Sequence, residues 1–220
     1  MQNLRNNKFE LVQMPPQNTQ SVIVSVGDEC VIFDPWGHVD DWVRILNERG
    51  LKLRAIYATH GHPDHIACAP ALAQKYGVPW YLHPGDFRLV GWGNGLLEYF
   101  GLPPITLDDV RPSDLKIERT EILPGLFMDI IETPGHTPGG VAYNFPDEKV
   151  ILIGDTLFQD SIGRYDLPGG DENMLFQSIS NLYNLNLPSD TAVVHGHGMD
   201  TSIAWLHKNN PYFHAQVNHL

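Results

Sequence analysis

Apolar runs in this chain repeatedly end in residues that bind metals, and that layout constrains the fold more than any other feature. Residues 53–58 are apolar and lead into Thr59-His60-Gly61-His62-Pro63-Asp64-His65. Imidazoles and carboxylates are preferred ligands of Zn²⁺ and similar divalent ions. His60 and His62 lie two apart, so in an extended segment both point the same way. Asp64 and His65 are adjacent after a proline and can turn toward a second centre. One loop can thus give two ligands to each of two metals. Three further positions fit the same plan. His136 sits in Thr133-Pro134-Gly135-His136-Thr137-Pro138-Gly139-Gly140, Asp155 follows the apolar residues 150–153 and Gly154, and His197 lies in His195-Gly196-His197-Gly198 after residues 192–194. Loops at strand ends are where sheet proteins commonly build their sites.

The composition fits a folded chain. Hydrophobic residues make up 42% and charged residues 18%, which reads as ordinary globular protein. At 220 residues, one domain spanning 1–220 is the expectation. The formal charge of −12 argues against a nucleic-acid partner, which needs a basic face. It leaves room for a small anionic substrate, because local charge at metals can oppose the global charge. Two cysteines, Cys30 and Cys68, cannot make a disulfide scaffold and read as buried free thiols. The opening Met1-Gln2-Asn3-Leu4-Arg5 lacks the apolar core of a signal peptide, and no run reaches the ~18 apolar residues of a membrane span. A cytoplasmic location with no membrane partner is the default expectation; the oligomeric state is left open.

The pattern predicts strands over 9–14, 22–26, 31–33 and 53–58, with a hairpin turn at Gly27-Asp28. Helices are expected over 40–49, stopped by Gly50, and over 69–76, with Pro70 in its first turn. Residues 83–111 are rich in Gly and Pro, with Phe87, Trp92, Tyr99 and Phe100 interleaved. A short helix near 96–100 is expected there, and the aromatics either pack the core or wall a substrate pocket. Gly91-x-Gly93-x-Gly95 has the wrong spacing for a dinucleotide fingerprint. Further strands are expected over 126–132, 140–145, 150–153 and 191–194. Helices are expected over 172–183, with Asp171 as N-cap, and over 202–208. No Gly-x-Ser-x-Gly elbow occurs, so no serine nucleophile is indicated.

The ordered set His60-x-His62-x-Asp64-His65, His136, Asp155 and His197 resembles the metallo-β-lactamase superfamily. Gly154-Asp155-Thr156-Leu157-Phe158 and Gly196-His197-Gly198 are similar to its hydroxyacylglutathione hydrolase (glyoxalase II) branch. The segment Ser161-Ile162-Gly163-Arg164-Tyr165-Asp166-Leu167-Pro168-Gly169-Gly170-Asp171 resembles short bacterial members of that branch, which lack the C-terminal helical domain of longer ones. The resemblance spans roughly residues 9–210. It implies an α+β fold, a four-layer αβ/βα sandwich of two mixed sheets flanked by helices. It implies two divalent ions, zinc in the first place with iron or manganese as alternatives. His60, His62 and His136 would hold one, Asp64, His65 and His197 the other, with Asp155 bridging. Asp64 and Asp155 are thereby the catalytic carboxylates. The implied reaction is attack of a metal-held hydroxide on a thioester carbonyl. Arg164, with Tyr165 beside it, falls where glutathione thioesterases carry a cationic substrate contact; a solvated arginine is the other reading. His195 reads as a supporting or structural residue. His38, His83, His207, His214 and His219 read as solvated or locally hydrogen-bonded. A mononuclear-iron persulfide dioxygenase using His60, His62 and His136 is the alternative in a different reaction class. A lactonase or other ester hydrolase is the alternative within hydrolysis.

Overall fold

The structure, a computed structural model, describes residues 7–105 and 111–214. His219 and residues 1–5 lie outside the described residues. The first sheet is built by β1 (Phe9–Gln13), β2 (Gln20–Val26), β3 (Glu29–Phe33), β4 (Lys52–Tyr57), β5 (Trp80–Leu82) and β6 (Ser113–Asp114), in that spatial order. The first three pair antiparallel and the last four parallel, so the sheet is mixed. The turn at Gly27-Asp28 joins β2 to β3, and Gly27 takes the left-handed conformation such a tight turn requires. The second sheet comprises β7 (Thr120–Leu123), β8 (Leu126–Glu132), β9 (Val141–Phe145), β10 (Val150–Leu152), β11 (Ala192–Val194) and β12 (Thr201–Ser202), again in chain order across the sheet. Its β10–β11 pair is parallel and the rest antiparallel.

Three apolar clusters mark the contacts between four layers. Between the sheets lie Val22, Val24, Val31, Phe33, Tyr57, Tyr143, Phe145, Val150, Leu152 and Val194. The outer face of the first sheet turns Ile23, Cys30, Ile32 and Ile56 toward helices α1 (Val39–Arg49), α3 (Ala69–Tyr76) and α4 (Asn94–Tyr99). The outer face of the second sheet sends Ile151, Ile153 and Val193 against α5 (Glu172–Asn184), α6 (Ile203–Asn209) and α7 (Pro211–His214). This is the α+β four-layer sandwich expected from the resemblance. It also explains why the strands read as unbroken apolar runs rather than alternations: both faces are covered.

The helix ends follow local chemistry. Gly50 and Gly77 close α1 and α3 in the left-handed conformation. Asp171 accepts from the Met174 N–H at 2.9 Å to cap α5, and Ser202 does the same for α6 with Trp205. The strand ends of β4, β8, β10 and β11 each deliver one of the loops singled out above. No helix among the described residues is long and apolar enough to cross a membrane. Cys30 and Cys68 are buried free thiols, as expected.

Candidate metal centre

The loop after β4 is held in place before it presents any ligand. Tyr143 donates its hydroxyl to the Ala58 carbonyl at 2.7 Å. The Thr59 N–H donates to Asp34 Oδ1 and the Thr59 hydroxyl to Asp34 Oδ2, both at 2.7 Å. The Gly61 N–H donates to Asp86 Oδ2 at 2.7 Å. His62 is extended and caps α2 (Pro63–Ile66), a single turn with Pro63 at its start, from which Asp64 and His65 project.

Hydrogen bonding fixes which nitrogen is free in two of the three imidazoles. The Thr59 hydroxyl spends its proton on Asp34, so its 3.1 Å contact with His60 Nδ1 makes the imidazole the donor. His60 Nε2 therefore carries a lone pair. His136 Nδ1 donates to the Arg164 carbonyl at 2.7 Å, which leaves its Nε2 bare as well. These two atoms converge on His62 Nδ1, at 3.1 Å from His60 and 2.9 Å from His136. The assignment follows from the network. The two bare lone pairs are met either by a proton on His62 Nδ1 or, with that nitrogen bare as well, by a cation among the three. Burial pushes the His60 pKa well below its usual value and that of His62 down to about 3, with the neighbouring imidazoles adding to the effect. Both rings are thus neutral and ligand-ready near neutral pH.

The second cluster is acidic. His65 is fully buried; its Nδ1 donates to Asp34 Oδ2 at 2.9 Å, which turns Nε2 toward Asp64 Oδ2 at 3.7 Å and Asp155 Oδ1 at 3.5 Å. His197 Nε2 stands 3.1 Å from Asp64 Oδ2 and 3.6 Å from Asp155 Oδ2. Burial disfavours a charged His65, yet Asp34, Asp64 and Asp155 outweigh it and raise its pKa to about 10. Asp64 is partly buried, which disfavours its charge, but His65 and His197 pull its carboxyl well below the usual range. The carboxylates here call for positive charge, which a divalent ion supplies more fully than one proton.

Asp155 joins the two clusters, since its Oδ2 is also 3.6 Å from His136 Nε2. Ligand atoms of His60, His62 and His136 lie close enough to hold one ion, as do those of Asp64, His65 and His197 and those of His60, His65 and Asp155. A tetrahedral ion with bonds of ~2.0–2.1 Å sets its ligand atoms roughly 3.3 Å apart, and the spacings above bracket that value. His62 Nε2, His65 Nε2 and Asp155 Oδ1 are buried without hydrogen-bond partners; for the last two, the missing partner fits a metal. Gly196 leaves room for the Asp155 carboxylate: a Cβ there would overlap Asp155 Oδ1 and stand 2.8 Å from His65 Cε1.

All seven ligand candidates read from the sequence come together. His195 stands apart, hydrogen-bonded to the Leu157 carbonyl at 2.6 Å and to the Thr201 hydroxyl at 2.9 Å, which is a structural role. The Arg164 side chain is exposed and forms a two-pronged ion pair with Asp166, at 2.9 and 3.0 Å. Its backbone carbonyl, which orients His136, has the clearer part in the centre. Tyr165 is exposed. His83 hydrogen-bonds locally, accepting from the Gly85 N–H. The sequence reading did not single out Asp34, Thr19 or Asp86. Thr19 donates its hydroxyl to Asp64 Oδ2 at 3.3 Å. Asp86, fully buried, accepts from the Gly61 N–H, the Gly139 N–H and the Thr137 hydroxyl, so it ties the His60–His62 loop to the His136 loop.

Comparison with known proteins agrees with this geometry. The family model described as Metallo-beta-lactamase superfamily matches residues 14–197. The hydroxyacylglutathione hydrolase GloC of Haemophilus influenzae is 34% identical over 203 residues, covering 91% of this chain and 94% of that protein. The crystal structure of the BLEG-1 B3 metallo-beta-lactamase superposes with a TM-score of 0.81 at 33% identity, covering 93% of this chain and 99% of that one. The structure of TTHA1623 in a di-iron-bound form gives 0.80 at 32% identity, covering 92% and 99%.

Proposed function

The chain belongs to the metallo-beta-lactamase superfamily, and from that premise we propose that it hydrolyses S-acylglutathione-like thioesters with two divalent metal ions. The observation that carries the reading is the Asp155 carboxylate, which faces the three-histidine cluster and the Asp64–His65–His197 cluster at once. His60, His62 and His136 would hold one ion, and Asp64, His65 and His197 the other, with Asp155 between them. When bound, such a pair supplies a nucleophile from water at neutral pH and stabilises negative charge developing on a carbonyl oxygen.

The protein's own groups prepare for that chemistry. Asp34 and the Arg164 carbonyl fix the tautomers of His65 and His136. Two carboxylates offset only part of the charge of two divalent ions, so the centre stays positive and favours a small anionic substrate despite the chain's overall negative charge. Arg164 and Tyr165, on the loop whose carbonyl holds His136, would meet the thiol carrier. Zinc, iron and manganese all suit this donor set. GloC supports the thioester, and the di-iron state of TTHA1623 supports two ions with iron among the options.

The test is metal analysis of protein purified without added metal, followed by assays with S-lactoylglutathione, a chromogenic β-lactam and glutathione persulfide. Two metals per chain and thioester turnover are expected. One iron per chain with oxygen uptake on the persulfide would replace the proposal with a dioxygenase. β-Lactam cleavage without thioester cleavage would replace it with a lactamase.

A further inference from the structure

Trp92 stands beside the metal centre and is half bare. Its indole lies 5.9 Å from the His62 ring at an angle of 41°, and 49% of the residue is exposed. Tryptophan is highly buried on average, so an exposed indole beside converging ligand atoms is a surface available to a substrate. The segment that carries the ring is anchored. Leu89 and Leu97, before and after Trp92 in the chain, are buried. The Asn94 side chain donates to the Ile105 carbonyl and accepts from the Ile105 N–H, both at 2.9 Å, which closes the segment on itself. Gly93 is docked on Pro63, the residue after His62, so closely that a Cβ would overlap the proline ring. The neighbouring aromatics behave differently. Phe87 and Phe100 pack on the core, and Tyr99 sits edge-on against Phe100.

The imidazole wiring gives the centre a direction. The Arg164 carbonyl accepts from His136 Nδ1, His136 Nε2 faces His62 Nδ1, and His62 faces Trp92. The Arg164–Tyr165 loop and the indole therefore meet the three-histidine cluster at different imidazoles, the loop at His136 and the indole at His62. A thioester with its carbonyl over the cluster has two arms. If the carrier arm runs to residues 164–165, the acyl arm runs to Trp92. Resting on the thioesterase reading above, we propose that Trp92 determines acyl specificity: its indole is an apolar wall that favours longer apolar acyl groups over short hydroxylated ones.

The test uses the full, metal-loaded chain and S-acetyl-, S-butyryl- and S-hexanoylglutathione. A methylene lying against one face of a ring is half covered, which corresponds to about a twofold gain in kcat/KM. The hexanoyl-to-acetyl ratio should then be roughly tenfold or more in the wild type. It should fall below about threefold in Trp92→Ala and stay largely intact in Trp92→Phe. A parallel series holds the acyl group fixed and replaces glutathione by N-acetylcysteamine; the carrier ratio should not change in Trp92→Ala. Binding of the product carboxylates acetate and hexanoate, measured by calorimetry, should follow the same order without any turnover. An unchanged acyl ratio in Trp92→Ala overturns the proposal, as does a changed carrier ratio with the acyl ratio intact. If no thioester is cleaved, the thioesterase reading has failed, and the carboxylate titration alone decides on Trp92. Equal wild-type affinity for acetate and hexanoate then rejects the wall.

Discussion

Asp86→Asn is the substitution that best probes how the centre is held together. The wild-type carboxylate accepts three hydrogen bonds in a fully buried position: the Gly139 N–H on Oδ1 at 2.6 Å, and the Gly61 N–H and Thr137 hydroxyl on Oδ2, both at 2.7 Å. An asparagine has one carbonyl and one NH₂. With its oxygen toward Gly61, the NH₂ meets the Gly139 N–H. With its oxygen toward Gly139, the NH₂ meets the Gly61 N–H, although Thr137 can rotate to accept. Either way one buried backbone donor loses its partner, at about 1–3 kcal/mol. The hydrogen bonds that remain lose the charge on their acceptor. Against this, burial raises the Asp86 pKa despite its three donors, so the charge itself is a net cost that asparagine removes. The net expectation is about 1–3 kcal/mol of lost stability, or roughly 3–10 °C in Tm for a chain of this size. The loss should be directional. Gly61 lies between His60 and His62, and Thr137 and Gly139 follow His136, so the three-histidine cluster should weaken about ten- to hundredfold toward metal. The Asp64–His65–His197 cluster should change less. Unfolding of the stripped protein in urea, then cobalt titration followed by absorbance, measures both effects. The exposed Asp166→Asn serves as a control, expected within about 0.5 kcal/mol. If Asp86→Asn matches that control in stability and in both metal affinities, the clamp reasoning is wrong.

Four further outcomes follow from the same geometry. Asp155→Ala removes the carboxylate facing both clusters, so at least one metal and nearly all hydrolysis should be lost while circular dichroism stays native; full metal content would remove the bridging assignment. Gly196→Ala puts a methyl group where Asp155 Oδ1 lies, so metal analysis should show depletion, first from the cluster containing His65. Arg164→Ala should raise KM for S-lactoylglutathione roughly ten- to hundredfold with little change in kcat if its charge meets the carrier. A neutral ester is the control, and equal loss on both substrates would assign Arg164 to loop structure. Burial pushes the Cys30 thiol up to about 12 and raises Cys68 as well. Burial disfavours the thiolate, so neither should react with iodoacetamide in the native protein at pH 8, and both should react in denaturant; rapid native labelling would show that one is accessible.

The long elements were legible because burial on both faces leaves a strong local mark. Strands β8 and β9, helices α1 and α3 and the Asp171 cap fall within one residue of the pattern read from the sequence. β2 begins two residues earlier than expected, at Gln20, because it pairs with Gln13 of β1. The missed elements are short ones near the sheet edges. Ser113–Asp114 forms β6 solely through pairing with Tyr81 and Leu82, and Thr201–Ser202 forms β12 through Ala192 and Val193. Two polar residues carry no periodicity of their own; the neighbouring strand makes them a strand. Residues 83–105 were harder still. Their order comes from Asp86, Asn94 and Pro63 contacts that join distant positions.

The same division runs through the centre. The seven ligand candidates were legible because residue type and spacing identify them before any folding is known. The groups that aim them were not. Asp34 and Asp86 are two of 26 acidic residues, and nothing beside them in the chain sets them apart. Asp34 acts on Thr59 and His65, and Asp86 acts on Gly61, Thr137 and Gly139. Each bond spans 25 residues or more. One general signal was available: an acidic residue just past an apolar strand, as Asp34 is past β3 and Asp86 is past β5, must find donors or remain in water. Asp34 adopts a φ of 49°, uncommon outside glycine, and is buried all the same. A buried carboxylate in that conformation is tolerated because its oxygens meet the Thr59 N–H, the Thr59 hydroxyl and His65 together. The ligand candidates are thus written in the sequence as a motif, whereas their orientation emerges where carboxylates at strand ends meet backbone N–H groups of loops far along the chain.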